Sequence, residues 1–190
     1  MRTCSYPFDW TLSSPAMVAD CLRDDFKRFL NPAEHVSNGR GSSNHRTYGT
    51  MGFGNNFQGF ITQNSTFTHK DITQHDDYAY YTRCVDRFRV LLASPEPKRF
   101  IVCTQDTDFI REEIMTLRTL LSERTTNFDI LCITLKNDYS SHYTEEKADD
   151  ITYVTIYTYS RSDGRGYAMD PDNHYFHKVL TSVFPASPSS

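Results

Sequence analysis

The chain has 190 residues, a formal net charge of -4 and a sequence pI near 5.9. That length supplies one well-buried core rather than two. The acidic balance, with 20 Lys and Arg scattered along the chain, excludes the electrostatic footprint of a nucleic-acid or anionic-membrane binder.

Aromatic side chains are abundant, with 12 Tyr and 13 Phe, so the polar composition does not signal disorder. No apolar run is long enough to span a bilayer, and the first ten residues lack the basic and apolar regions of a signal peptide. The cysteines Cys4, Cys21, Cys84, Cys103 and Cys132 are odd in number, widely spaced and without a C-x-x-C pair. This argues against a disulfide scaffold or zinc site and for a reducing, cytoplasmic compartment. Asn64-Ser65-Thr66 matches a glycosylation sequon, which without a secretory signal reads as chance.

The string Ser5-Tyr6-Pro7-Phe8-Asp9-Trp10 suits neither a periodic helix nor a strand. It reads as a rigid turn that fixes an acid and the single tryptophan beside the rest of the domain. Ser13-Ser14-Pro15 then opens a helix, a hydroxyl cap followed by proline in the first turn. Val18, Cys21, Leu22, Phe26, Phe29 and Leu30 recur at helical spacing until Asn31-Pro32 stops the pattern. Residues 37–43 and 49–59 are rich in Gly, Ser and Asn and read as long loops. Short strands are expected at 57–61 and 65–69, with Gln63-Asn64 turning between them.

Asp76-Asp77 is expected to cap a second helix with Tyr81, Cys84, Val85, Phe88, Leu91 and Leu92 on its buried stripe. Ser94-Pro95-Glu96-Pro97 ends it. From Arg99 onward strands and helices alternate. Residues 100–104, 128–135 and 151–159 read as strands. Residues 108–124 and 172–184 read as helices, the latter with Phe176, Leu180, Val183 and Phe184 inward. A strand, a helix and a second strand in succession form a right-handed crossover with a parallel pair. The expected fold is therefore one α/β domain over residues 1–184. It has three layers, with a Rossmann-like parallel sheet in the C-terminal half, a helical and loop-rich N-terminal half, and a disordered tail at 185–190. Functional groups in such sheets gather at the carboxyl ends of the strands.

The SYPFDW string, the Ser-Ser-Pro helix ending in Phe-x-x-Phe-Leu, the later Phe67-Thr68-His69-Lys70-Asp71, and the helix with Tyr81-x-Arg83 and Arg87-Phe88 occur in one order. Together they resemble an uncharacterised α/β family labelled papain-like cysteine peptidases, found in bacteria and large DNA viruses and sometimes fused to glycosyltransferase modules. The resemblance implies a thiol hydrolase, in which a histidine activates a cysteine and a third polar group orients the histidine. His69 matches the family's histidine. The resemblance places the family's cysteine upstream of the SYPFDW string, and Cys4 is not its match. The expectation is a hydrolase-like domain whose own residues do not include that nucleophile.

His69, Lys70 and Asp71 stand close to His75, Asp76 and Asp77. They read as a general base with its orienting acid, as a metal site, or as a polar loop whose aspartates cap the next helix. His69 and Asp71 are the catalytic candidates. Asp106-x-Asp108 after an apolar strand suits a divalent cation and a nucleotide diphosphate, since hard cations take carboxylate oxygens; first-turn capping accounts for the pair equally well. Arg83 and Arg87, one helical turn apart, form either an anion clamp or a solvated face of ion pairs. Asp9 and Trp10 either line a ligand pocket, or lock the turn and anchor the core. Arg161-Ser162-Asp163-Gly164-Arg165-Gly166 is a turn able to wrap an anion, or a plain surface hairpin. Three functions stay open: a hydrolase-like domain using His69, as the resemblance implies, a sugar-nucleotide or glycan-handling domain, and a non-catalytic binding module. The substrate, whether small molecule, glycan or peptide, and any cofactor are not specified.

Overall fold

A computed structural model describes residues 4–50, 66–105, 110–162 and 166–183 of the chain. Contacts divide the chain into two compact units, Met1–Pro97 with Phe109–Asn127, and Lys98–Asp108 with Phe128–Ser190. Among the described residues the architecture is mixed α/β, with four α-helices and a mostly parallel four-stranded sheet in the C-terminal half.

In the first unit, α1 (Pro15–Asp24) starts as its sequence dictates, the Ser14 hydroxyl accepting from Met17 N at 3.2 Å with proline in the first turn. It stops earlier than the apolar spacing predicts. Asp25 and Phe26 take φ of 54° and 61°, and Phe26 N donates to Cys21 O at 2.8 Å. The left-handed pair is held from outside. Arg89 donates to the Asp25 carboxylate through Nε and Nη2, both at 3.1 Å, and through Nη2 to its carbonyl at 2.8 Å. Phe26 and Phe29 stay fully buried although they leave the helix.

A short antiparallel pair follows, β1 (His35–Ser37) and β2 (Ser43–His45), where the composition predicts loop. Then α2 (His75–Ala93) buries Tyr81, Cys84, Val85, Phe88 and Leu92 of the stripe its spacing predicts, while Leu91 is only half-buried. Its cap differs from expectation. Gln74 occupies the cap position with no side-chain bond to the helix N-terminus, because Asp77 is drawn back to Lys70 Nζ and Asp71 N, each at 2.9 Å, while Asp76 pairs with exposed His75 at 3.2 Å. The unit closes with α3 (Ile110–Ser122), which packs on α1 and buries Ile114, Leu117 and Leu121. Just beyond α3, Arg124 Nη2 donates to Leu22 O at 2.8 Å.

The second unit holds β3 (Lys98–Gln105), β4 (Phe128–Asn137), β5 (His142–Ala148), β6 (Ile151–Thr158) and α4 (Asp170–Val183). Strand order is β3-β4-β6-β5, with β3, β4 and β6 parallel and β5 antiparallel at the edge. Alternate positions on β4 and β6 present Leu131, Ile133, Val154 and Ile156 to Val179 of α4, with Phe176, Leu180 and Val183 packed around them. Arg99 and Asp129, directly opposed in register, form a two-pronged pair at 2.6 and 2.7 Å.

β5 is absent from the sequence reading. All seven of its residues are exposed, so it carries no apolar alternation. It forms by pairing with β6 through a turn at Asp149-Asp150, with Asp149 at φ 53°.

Candidate functional site

The site begins with the turn at Tyr6–Trp10. The Asp9 carboxylate accepts from Tyr6 N at 2.8 Å, and Asp9 N donates to Tyr6 O at 3.3 Å. Arg87 fixes the entry to this turn, its Nε and Nη2 donating to Ser5 O at 2.9 and 2.7 Å. Phe8 takes the inward position and packs against Phe26, Phe29 and Phe88 at ring-centroid distances of 5.8, 6.2 and 5.8 Å. With Phe8 filling that place, Trp10 projects outward and is 51% exposed. The tryptophan is therefore not the core anchor that its rarity suggests; Phe8 does that work.

Phe67 joins this turn to the rest of the unit. It bridges Thr11 on one side and Ser43 of β2 on the other, with Ser43 N to Phe67 O at 3.2 Å and Phe67 N to Ser43 O at 3.0 Å. Leu12 N donates to Thr66 O at 2.9 Å. The Phe67 ring is fully buried against Tyr81, Phe29 and His35, at 4.8, 5.4 and 5.4 Å. Among residues 66–69 only Phe67 forms these bridges, in place of the regular strand predicted for 65–69, and 57–61 and 65 lie outside the described residues.

Two residues further on, His69 emerges at the surface and meets Trp10 edge-to-face, with ring centroids 5.7 Å apart. Two segments distant in sequence thus place an exposed indole and an exposed imidazole side by side. Next to His69, Lys70 lies over the Tyr80 ring at 4.4 Å while paired with Asp77.

The other predicted residues are placed as follows. Asp71 is 6% exposed. It accepts from the Ser37 hydroxyl and from Thr73 N and Oγ1, the last two at 3.1 and 2.7 Å. Burial by itself would raise this carboxyl, but the bonds from Ser37 and Thr73 outweigh it and hold the group below its ordinary value. Among the described residues no hydrogen bond joins Asp71 to His69; the carboxylate ties β1 to the loop before α2. Arg83 is exposed on α2, and Arg87 is directed to Ser5 O and to Cys84 Sγ at 3.0 Å. Asp106 and Asp108 lie outside the described residues, as do 163–165 of the Arg161 turn.

The thiols differ in environment. Cys21 is fully buried, its Sγ donating to Tyr48 Oη at 3.6 Å, and burial pushes it up to about 12. Burial raises Cys84 as well. Desolvation pushes the Cys103 thiol up to about 11, although that residue as a whole is exposed. Cys4 is exposed and lines an open groove of about 480 Å³ with Tyr6, Arg87, Val90 and Leu91. Thiolate is the reactive form, so a disulfide-exchange reagent at pH 7.5 is expected to label Cys4 first and to reach Cys21 only on unfolding. Mass mapping of the labelled peptides checks this, and early labelling of Cys21 would contradict the burial.

Residues 1–138 match a family model described as putative papain-like cysteine peptidase. The chain belongs to that family. Neither a curated protein nor a solved structure matches it. The matched span contains the Tyr6–Trp10 turn, Phe67 and His69, and it ends at the close of β4. Among the described residues no helix is long and apolar enough to cross a membrane.

Sequence reasoning missed the polar network beneath this surface. Asp20 accepts from Tyr48 Oη at 2.9 Å and from Arg28 Nη1 at 2.7 Å, and Tyr48 stacks on His45 at 4.1 Å. His45 and Tyr48 sit in a stretch whose composition signals only turns, so nothing in their spacing marks them.

Proposed function

We propose that the Trp10–His69 surface is the substrate-contacting face of a hydrolase-like domain that takes peptide. In this reading His69 is the general base and Trp10 the platform against which a substrate side chain or backbone packs. One observation carries it: the edge-to-face contact between two exposed rings, set by a turn and a bridge that both rest on Phe67 and α2. An imidazole at the surface, with no hydrogen bond to another of the described residues, can exchange a proton with an attacking thiol or water. The indole supplies apolar area without losing conformational freedom, since its turn is already fixed by Asp9 and Arg87. Membership of the peptidase family supports the substrate class.

The second unit supports a Rossmann-like reading through its three parallel strands and the packing of α4 on one face. In that reading Asp106 and Asp108, which follow β3 in the sequence, are the groups that would take a cation.

Trp10 is the chain's single tryptophan, so its emission reports on this surface directly. Titration with a mixed-sequence peptide library is expected to change that emission saturably, and Trp10→Phe to weaken binding measured by calorimetry about tenfold while leaving the melting temperature within a few degrees. His69→Gln is expected to retain binding and to lose any turnover of fluorogenic peptides at neutral pH. Peptides that leave Trp10 emission flat, together with turnover unchanged in His69→Gln, would overturn the reading.

A further inference from the structure

We propose that the buried His35–His45 pair is an acid-triggered latch whose protonation releases Phe67 and so dismantles the surface carrying Trp10 and His69. The two histidines are direct cross-strand partners of β1 and β2, with rings edge-to-face at 5.1 Å. His35 is 8% exposed, and neither of its nitrogens meets a protein partner of good hydrogen-bond geometry. His45 is completely buried, with both nitrogens engaged. Tyr48 N donates to its Nδ1 at 3.2 Å, which leaves Nε2 as the N–H that donates to Arg28 O at 3.1 Å. Both rings are thus neutral. A proton on His35 would put a cation without a hydrogen-bond acceptor among the described residues in a buried site, and a proton on His45 Nδ1 would break the bond from Tyr48.

The groups facing the pair do not offset this. The Pro32–Glu34 turn brings Glu34 to 4.0 Å from His45 Nδ1. Asp71 from the loop before α2 and the Phe29 backbone favour a proton on His35. For His45, Asp20 of α1 favours the proton, while Arg28 acts in both directions, its carbonyl for and its charge against. Burial outweighs them, followed for His35 by the neighbouring His45. The result holds His35 down at about 4 and His45 below its ordinary value.

The sign follows from linkage. A histidine whose folded value is lowered from 6.5 to about 4 binds fewer protons folded than unfolded across that window. Stability is therefore intact above about pH 6.5 and falls as pH drops towards 4. For His35 the full shift corresponds to a change of about 300-fold in the opening equilibrium. Ordinary carboxylates titrate at the bottom of this window or below it. Mechanically, His45 and Ser43 share β2, Ser43 pairs with Phe67, and Phe67 pairs with Thr11 beside Trp10. Loosening β1 from β2 therefore reaches the surface through two bridges.

The test is amide exchange of the full chain from pH 7 to pH 4, each rate normalised to its intrinsic value at that pH. The Ser43 and Phe67 amides are expected to lose protection progressively below pH 6.5, by up to about 300-fold. In His35→Phe, which keeps an aromatic body against Phe67, the loss is expected to be at least tenfold smaller, with protection at pH 7 maintained. Equal loss in wild type and His35→Phe would overturn the proposal. Should that variant fail to fold, NMR titration of the His35 ring in the wild type decides. Protonation that coincides with lost β1–β2 protection supports the latch, and protonation near 6.5 with protection intact overturns it.

Discussion

Phe67→Ala is expected to lower the stability of the first unit by about 3–5 kcal/mol, the range for truncating a fully buried aromatic. Phe67 is 0% exposed and touches rings from three separate places in the sequence, Phe29, Tyr81 and His35. Its backbone pairs on both sides, with Thr11 and with Ser43. Removing the ring leaves a cavity at the point where the turn, the short β1–β2 pair and α2 meet. Urea unfolding followed by Trp10 emission reads the effect close to its origin, because Trp10 adjoins the Thr11 bridge. Phe67→Leu retains part of the apolar body and is expected to fall between the two. A Phe67→Ala chain with the wild-type midpoint would show that the turn and the His69 segment are held together by something other than this ring.

Asp172→Ala is expected to be nearly as damaging in the second unit, at about 3 kcal/mol or more. Asp172 is 1% exposed in the first turn of α4. Its carboxylate accepts from Tyr159 N at 3.2 Å, Ser160 N at 2.7 Å and Ser160 Oγ at 2.6 Å. Alanine removes three hydrogen bonds to a buried charged acceptor at the end of β6, and a hydrogen bond to a charged group contributes about 1.5–3 kcal/mol. Asp172→Asn keeps one acceptor oxygen and is expected to recover part of the loss. Amide exchange along α4 and at Tyr159 and Ser160 measures it. Protection there that survives Asp172→Ala would mean the hydroxyl and backbone groups find other partners, and the carboxylate would lose its place as the joint between β6 and α4.

The elements most legible in the sequence are those whose own periodicity decides their burial. α2 keeps Tyr81, Cys84, Val85, Phe88 and Leu92 on one face over 19 residues, and β6 alternates Val154, Ile156 and Thr158 into buried positions. The parallel pairing of β3 with β4 follows from the helix between them. The Ser14 cap and Pro15 place the start of α1 without help from elsewhere.

What escaped was set by partners far along the chain. The end of α1 is decided by Arg89, which holds Asp25 in a left-handed conformation that no local pattern announces. β5 exists only because β6 offers an open edge, and its residues His142–Ala148 carry no apolar signature. The cap of α2 moved because Asp77 found Lys70 and the Asp71 amide instead of its own helix.

For the candidate site, the sequence alone singled out the candidate residues. His69, Trp10, Asp9 and Arg87 are legible as residue types in unusual strings, and all four lie within the family match over residues 1–138. The tertiary structure decided their surroundings. It turned Trp10 outward because Phe8 claims the core, brought it to His69 through the Phe67 bridge, and committed Asp71 to Ser37 and Thr73 rather than to the histidine. The physical reason is that a side chain's chemistry is local, whereas its exposure and its partners are set by long-range packing and by hydrogen bonds between segments tens of residues apart.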